Sequence, residues 1–240
     1  MIARVALETR GLVKRYGRQR ALDGFTLDVP AGAIMGLVGP NGAGKTTWMM
    51  SVAGLLRLSA GEINVLGGGP FDPTRHAGRL AILPQDSELP LEMTPRALYE
   101  AFARLQGLGA REAKRAAAET LAAVNLADRA DRTIRSLSHG MRKRVMSGQC
   151  FLGDPELILL DEPMNGLDPE EADRMRRLIR TGKGTRTVVI SSHNLLDLER
   201  LCTHVAFVEA GRVTRVAEMA ELTSDGRSLE ECYLGRGVTG

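Results

Sequence analysis

The apolar positions fall into short blocks whose spacing changes along the chain. Between residues 4 and 29 they alternate, with Val5 and Leu7, then Phe25, Leu27 and Val29, the period of half-buried strands. Gly11 and the Gly17-Arg18-Gln19-Arg20 segment read as turns between them. Ile34-Met35-Gly36-Leu37-Val38 is apolar throughout, which predicts a buried strand, and Thr46 to Leu56 then reads as a helix. Gly61 to Leu66 predicts a further strand, broken by Gly67-Gly68-Gly69-Pro70, and Arg79 to Leu83 a short buried one ending at Pro84-Gln85.

From Thr94 to about Leu126 the period lengthens. Pro95 can open a helix, and Ala97, Leu98, Ala101, Phe102 and Leu105 recur at helical spacing. Gly107 and Gly109 interrupt before a second, Ala-rich helix from Arg111 to Val124. Few β-branched residues occur here, so the block reads as a helical insert whose stripes pack a core. Leu157-Ile158-Leu159-Leu160 predicts a central parallel strand ending in Asp161-Glu162, and Thr187 to Ser192 another ending at His193. A strand pair at about 204–209 and 212–216, a helix at 217–223 and a frayed Gly-rich end from Gly235 to Gly240 complete the expectation. The pattern predicts an α/β fold: a core with a mainly parallel sheet, an N-terminal antiparallel β-subdomain and an inserted α-helical subdomain. Residues 1–240 read as one domain, with lobes at 1–93 and 154–225 (core), 94–153 (helical) and 226–240 (tail).

Composition narrows the classes. The net charge of +3 and a 25% charged fraction give no strong field for nucleic acid, and none is expected as a partner. Three scattered cysteines, Cys150, Cys202 and Cys232, lack metal spacing; the first two fall in apolar segments and read as reduced core residues. No stretch reaches the ~20 apolar residues of a membrane span, and Met1-Ile2-Ala3-Arg4-Val5 lacks the apolar core of a signal peptide. A soluble, cytoplasmic chain that a partner can recruit is expected.

The chemistry centres on Gly39-Pro40-Asn41-Gly42-Ala43-Gly44-Lys45-Thr46-Thr47, which fits the G-x-x-x-x-G-K-[ST] loop between a strand and a helix. Glycines let backbone N–H groups point at a β-phosphate, with the positive helix end behind it. Lys45 can reach β- and γ-oxygens, and the Thr46 hydroxyl can ligate Mg²⁺. This predicts a P-loop NTPase core. Asp161, closing an apolar strand, fits the Mg²⁺-holding aspartate, and Glu162 beside it fits a base for an attacking water. Tyr16, just before a turn, can stack on a purine or be a half-buried strand tyrosine; alone it does not choose. Ser138 in Leu137-Ser138-His139-Gly140-Met141 can cap a helix running to about Leu152, whose free N–H groups favour an anion.

Tyr16, the loop 39–47, Gln85, Leu137 to Met141, Leu157 to Pro163, Asn165 to Asp168 and His193 stand in the order of an ABC transporter nucleotide-binding subunit, and the chain resembles that family from about residue 4 to 216. The resemblance implies an ATPase that binds ATP and Mg²⁺ and dimerises with a copy or close relative. Tyr16 is then similar to the adenine-stacking aromatic, and Gln85 to the glutamine that reaches Mg²⁺ and the attacking water. Ser138 and Gly140 are similar to the residues that grip the γ-phosphate bound by the opposite subunit. Asp168 is similar to the aspartate at the dimer seam, and His193 to the histidine on the γ-phosphate. His139 and Met141 depart from the commoner LSGGQ signature, and Asn165 stands where serine or threonine is usual; none touches Lys45, Asp161 or Glu162.

The same resemblance implies separate transmembrane permease subunits as partners and a peripheral place on the cytoplasmic face of the cell membrane. The groove beside Gln85, including Ser87 to Met93 and the helical subdomain, is the expected contact. There Leu89-Pro90-Leu91 reads equally as a buried contact or as a staple for the next helix. Leu83 to Asp86 and Leu137 to Val145 resemble most the ATPases of bacterial exporters for drugs, lipids or polysaccharides. The competing classes are a soluble ABC-type ATPase of DNA repair or translation, and a module that binds ATP without hydrolysing it. No coiled-coil insertion, zinc spacing or tandem module supports the first, and Glu162 argues against the second.

Overall fold

The computed structural model describes residues 4–182 and 184–235. Two long strands, β1 (Val5–Tyr16) and β2 (Gln19–Pro30), pair antiparallel, and β1 also pairs with β4 (Ala60–Val65). Gly11 is no turn, contrary to the expectation. The strand runs through it, and the register slips between the Thr9–Leu27 and Leu12–Phe25 pairs, as a bulge allows. The true turn is Gly17-Arg18.

The second sheet has the order β5-β6-β7-β3-β8-β9, with β3 at Ile34–Val38, β5 at Leu80–Leu83, β6 at Leu157–Asp161, β7 at Thr187–Ser191, β8 at His204–Glu209 and β9 at Arg212–Glu218. All neighbours are parallel except β9, which pairs antiparallel with β8. The fully apolar runs of β3, β6 and β7 follow from cover on both faces. Ile158, Leu160, Val188 and Ile190 enter one core with α5 (Pro169–Arg180), α6 (Leu195–Leu201) and α8 (Leu229–Leu234). Leu157, Leu159, Val189, Met35 and Leu37 enter the other, with α1 (Lys45–Val52) and the antiparallel sheet. There Trp48 of α1 is fully buried, stacks on Phe25 at 5.5 Å and donates Nε1–H to Thr9 Oγ1 at 3.3 Å. One aromatic thus fixes the helix behind the phosphate loop against the β-subdomain.

The helical block has its own core, built from α2 (Pro95–Leu105), α3 (Ala110–Ala123) and α4 (His139–Gly148). The Thr94 hydroxyl caps α2 by accepting from Ala97 N–H at 3.1 Å. Tyr99 is fully buried and donates to the Val145 carbonyl at 2.8 Å, tying α2 to α4; burial pushes its phenol pKa up.

Several elements differ from expectation. The loop helix stops at Val52 rather than Leu56, because Gly54, at φ +72°, turns the chain away. The helix expected to reach Leu152 ends at Gly148 and tightens into a 3₁₀ turn, Gln149–Phe151. The helix expected at 217–223 is only Met219–Leu222, α7, since β9 continues to Glu218. Helices α5, α6 and α8 had no counterpart in the sequence reading. Cys232 lies in α8 and is buried, as are Cys150 and Cys202; burial pushes the Cys150 thiol up to about 12. Residues 236–240 of the expected frayed end lie outside the described residues.

Tyr99→Phe removes a buried hydrogen bond while keeping the ring. It should cost about 1 kcal/mol, read as a lower urea midpoint with an unchanged slope.

Candidate functional site

Parallel pairing sets the site. Leu37 of β3 lies opposite Ser191 of β7, and Ser191 opposite Asp161 of β6, so three strands end on one line. The loop after β3 and the acids after β6 therefore open onto the same edge, where ligands of open parallel sheets bind.

Within the loop, Gly39 passes so close to β8 that a Cβ there would stand 2.0 Å from the Val208 carbonyl oxygen. Gly44 caps α1 at φ +106°, and a Cβ on it would meet the Ala21 carbonyl oxygen at 2.5 Å. No other residue fits these two positions without moving the backbone. Lys45 is 7% exposed and folds along the loop, donating to the carbonyls of Gly39 (2.7 Å) and Pro40 (3.0 Å). Burial lowers its pKa, opposed by the charges of Glu162 and Asp161. An ammonium this buried, hydrogen-bonded among the described residues to two carbonyls and near two acids, is set to accept an anion.

Asp161 is 4% exposed, and its Oδ1 accepts from the Ser191 hydroxyl. The same hydroxyl oxygen accepts the Glu162 N–H at 3.0 Å, and the Ser191 carbonyl accepts it at 3.2 Å. Glu162 sits at φ +50°, a left-handed conformation that costs a non-glycine residue about 1 kcal/mol. The Ser191 contacts hold it there and turn the carboxylate toward His193. Glu162 Oε2 accepts from His193 Nδ1 at 2.8 Å and more weakly from its backbone N–H at 3.4 Å. A carboxylate only accepts, so the proton of the imidazole lies on Nδ1. Oε1 has no hydrogen bond among the described residues.

Tyr16, Asn41, Gly42, Ala43, Gly44, Lys45, Thr46, Thr47, Gln85, Asp161 and Glu162 line one cleft of about 400 Å³. The structure thus brings together eleven of the residues singled out in sequence, from four separate segments. Gly39 and Pro40 join through Lys45, and His193 through Glu162. Tyr16 is 50% exposed at the rim, with Lys14 Nζ 5.1 Å over its ring, so one face is free to stack. The Thr46 hydroxyl, Asp161 carboxylate and Gln85 amide form a sparse oxygen set. That suits magnesium, which takes one or two carboxylates and completes its shell with phosphate and water.

Ser138, Gly140 and Asp168 stay outside this cleft. Ser138 caps α4, its hydroxyl accepting from Met141 N–H at 3.2 Å, and Asp168 caps α5, accepting from Glu171 N–H at 2.9 Å. The two helix starts are neighbours, since a Cβ on Gly140 would lie 3.6 Å from Glu171 Cγ. Sequence reasoning missed Ser191, and also Gln19 and Ala21 on the cleft wall. A hydroxyl ending a strand, two positions before a candidate histidine, was the available signal.

Among the described residues no helix is long and apolar enough to cross a membrane. The ABC transporter family model matches residues 22–165. The daunorubicin resistance ATP-binding protein DrrA3 of Streptomyces coeruleorubidus is 40% identical over 95% of this chain and 72% of its own length. A Nod factor export ATP-binding protein I of Burkholderia orbicola (strain AU 1054) is 35% identical over 89% of this chain and 70% of its own. A solved ATP-binding subunit of an ABC transporter superposes with a TM-score of 0.86 at 28% identity, covering 96% of this chain and 98% of that one. With the phosphate loop, the paired acids and the capped signature helix placed as described, the chain belongs to the ABC transporter family as an ATP-binding subunit, an ATPase whose hydrolysis is coupled to transport.

Proposed function

We propose that this subunit drives export through separate transmembrane permease subunits, from a peripheral position on the cytoplasmic face of the membrane. A relative named for Nod factor export, with another named for daunorubicin resistance, favours this over a soluble factor of DNA repair or translation. Residues 1–93 and 154–225 are taken as the nucleotide-binding core, 94–153 as the helical lobe and 226–240 as the tail.

One observation carries the mechanism. The base, the lysine and the metal donors share one cleft, while the Ser138 and Gly140 helix start lies outside it. The arrangement is half a site. A second copy, or a related subunit, completes it by presenting its own Ser138–Gly140 to the γ-phosphate, with Asp168 at the seam. ATP then favours the closed dimer because it touches both surfaces only there. Loss of the γ-phosphate contacts reopens it.

Within each cleft, Tyr16 stacks on the adenine. The N–H groups of residues 39–47 cradle the phosphates, and Lys45 shifts from the loop carbonyls to the β- and γ-oxygens. Thr46, Asp161 and Gln85 would hold Mg²⁺, which when bound screens the phosphate charge and orients the oxygens. Oε1 of Glu162 takes the proton of a water aligned by Gln85 for in-line attack on the γ-phosphoryl group, whose bond to the β-phosphate oxygen breaks as ADP leaves. His193, oriented by Glu162, faces that phosphate; only its imidazolium form donates from both nitrogens. Ser191 positions both acids and touches no substrate. The His139 and Met141 departures leave the Ser138 cap formed, so the trans grip is retained.

Lys45→Ala removes the buried ammonium and should weaken ATP binding about 10- to 100-fold. Titration calorimetry showing unchanged affinity would refute the role of the lysine. Glu162→Gln should keep nucleotide affinity within a few-fold while kcat falls about 10²–10⁴-fold. Near wild-type turnover in a phosphate-release assay would mean that another group is the base.

A further inference from the structure

The helical lobe meets the core along a trough that the nucleotide cleft does not use. At its centre lies a cavity of about 270 Å³, walled on one side by the end of α3 and by α4, and on the other by Leu167 and α5. Its floor is apolar: Leu167, Met175 and Leu178 from the core side, with Val124 facing them from the helical lobe. Its rim is cationic, with Lys143, Arg144, Arg174 and Arg177 around a single acid, Glu171.

The internal pairings leave this charge partly unanswered. Arg144 Nε lies 3.2 Å from Glu171 Oε2 and its Nη1 donates to the Asn125 carbonyl at 3.0 Å, so the two charges offset each other, but Nε and Oε2 are both shielded from solvent and form no hydrogen bond. Arg177 pairs with Asp173. Arg174 holds Glu170 through Nη2, but its Nε is shielded from solvent and has no hydrogen-bond partner. Lys143 makes no ion pair among the described residues. Burying an N–H without a partner costs free energy that an acceptor in the cavity would recover.

We propose that this interlobe cavity binds a small amphipathic monoanion, an aliphatic or aromatic carboxylic acid. Its carboxylate lies between Lys143 and Arg174, and its apolar body covers Leu167, Met175 and Leu178. The chemistry excludes the simpler alternatives. Inorganic phosphate would leave the apolar floor uncovered and place a second negative charge near Glu171. A neutral alcohol would leave the cations unmatched. The volume lies near the lower bound for small-molecule pockets, well suited to a short-chain acid. Because the two walls belong to different lobes, the occupant ties the helical lobe to α5 and stabilises one relative orientation.

The test uses the nucleotide-free full chain and octanoate as the probe, followed by titration calorimetry. Saturable one-site binding is expected, weakened about tenfold or more by Lys143→Glu, a partly buried rim position outside the apolar cores. Leu178→Trp, which fills the floor, should abolish binding. 1-Octanol should bind at least about tenfold more weakly than octanoate, and Lys45→Ala should leave octanoate affinity unchanged. No saturable binding at millimolar octanoate would overturn the proposal. So would affinity indifferent to Lys143→Glu, or binding lost in Lys45→Ala, which would place the probe in the nucleotide cleft.

Discussion

A single hydroxyl at the end of a central strand organises this molecule. Ser191 stands between Asp161 and the backbone of Glu162, and it can do so only because β6, β7 and β3 run parallel, in register and end together. Two adjacent carboxylates at a sheet edge repel each other. Here one is fixed by the serine hydroxyl and the other is turned away into a left-handed conformation toward His193. Backbone geometry thus sends the two carboxylates in different directions, which in the proposed mechanism suits one to the metal and the other to the water. Lys45, buried behind the loop, supplies the opposing charge.

That edge also explains the division of the chain. The residues that line the cleft all lie outside the helical lobe, on a core whose strands are covered on both faces. The helical lobe has its own apolar interior, and its signature helix starts beside α5 rather than beside the phosphate loop. In the proposed mechanism the phosphate contacts of this lobe are made across a seam, so its orientation governs when a cleft is complete.

Much of this was legible in sequence, for physical reasons. The strand–loop–helix context of the phosphate loop is local, and its nine residues fall where expected. Covered strands advertise themselves as unbroken apolar runs, so β3, β6 and β7 were found nearly to the residue. Helix α5 was missed because only Met175 and Ile179 of its twelve residues are buried, too few for an apolar stripe to stand out from its charges. Ser191 could be marked by its place at a strand end before His193, but its partners could not, because register between strands 26 residues apart (187 − 161) is a non-local property. Gly11 misled for the opposite reason: a glycine in a strand marks a bulge as readily as a turn. The tail was read without a helix although Leu229, Cys232 and Tyr233 stand at i, i+3 and i+4, and α8 packs Leu229 and Cys232 into the main core.

The central claim is that each cleft is only half of a hydrolytic site. Sedimentation velocity on Glu162→Gln, with and without Mg-ATP, tests it most directly, paired with the same chain carrying Ser138→Arg. The account predicts a nucleotide-dependent dimer for the first and a monomer that still binds ATP for the second. A Glu162→Gln chain that stays monomeric when saturated with ATP, together with wild-type turnover per chain independent of protein concentration, would contradict it.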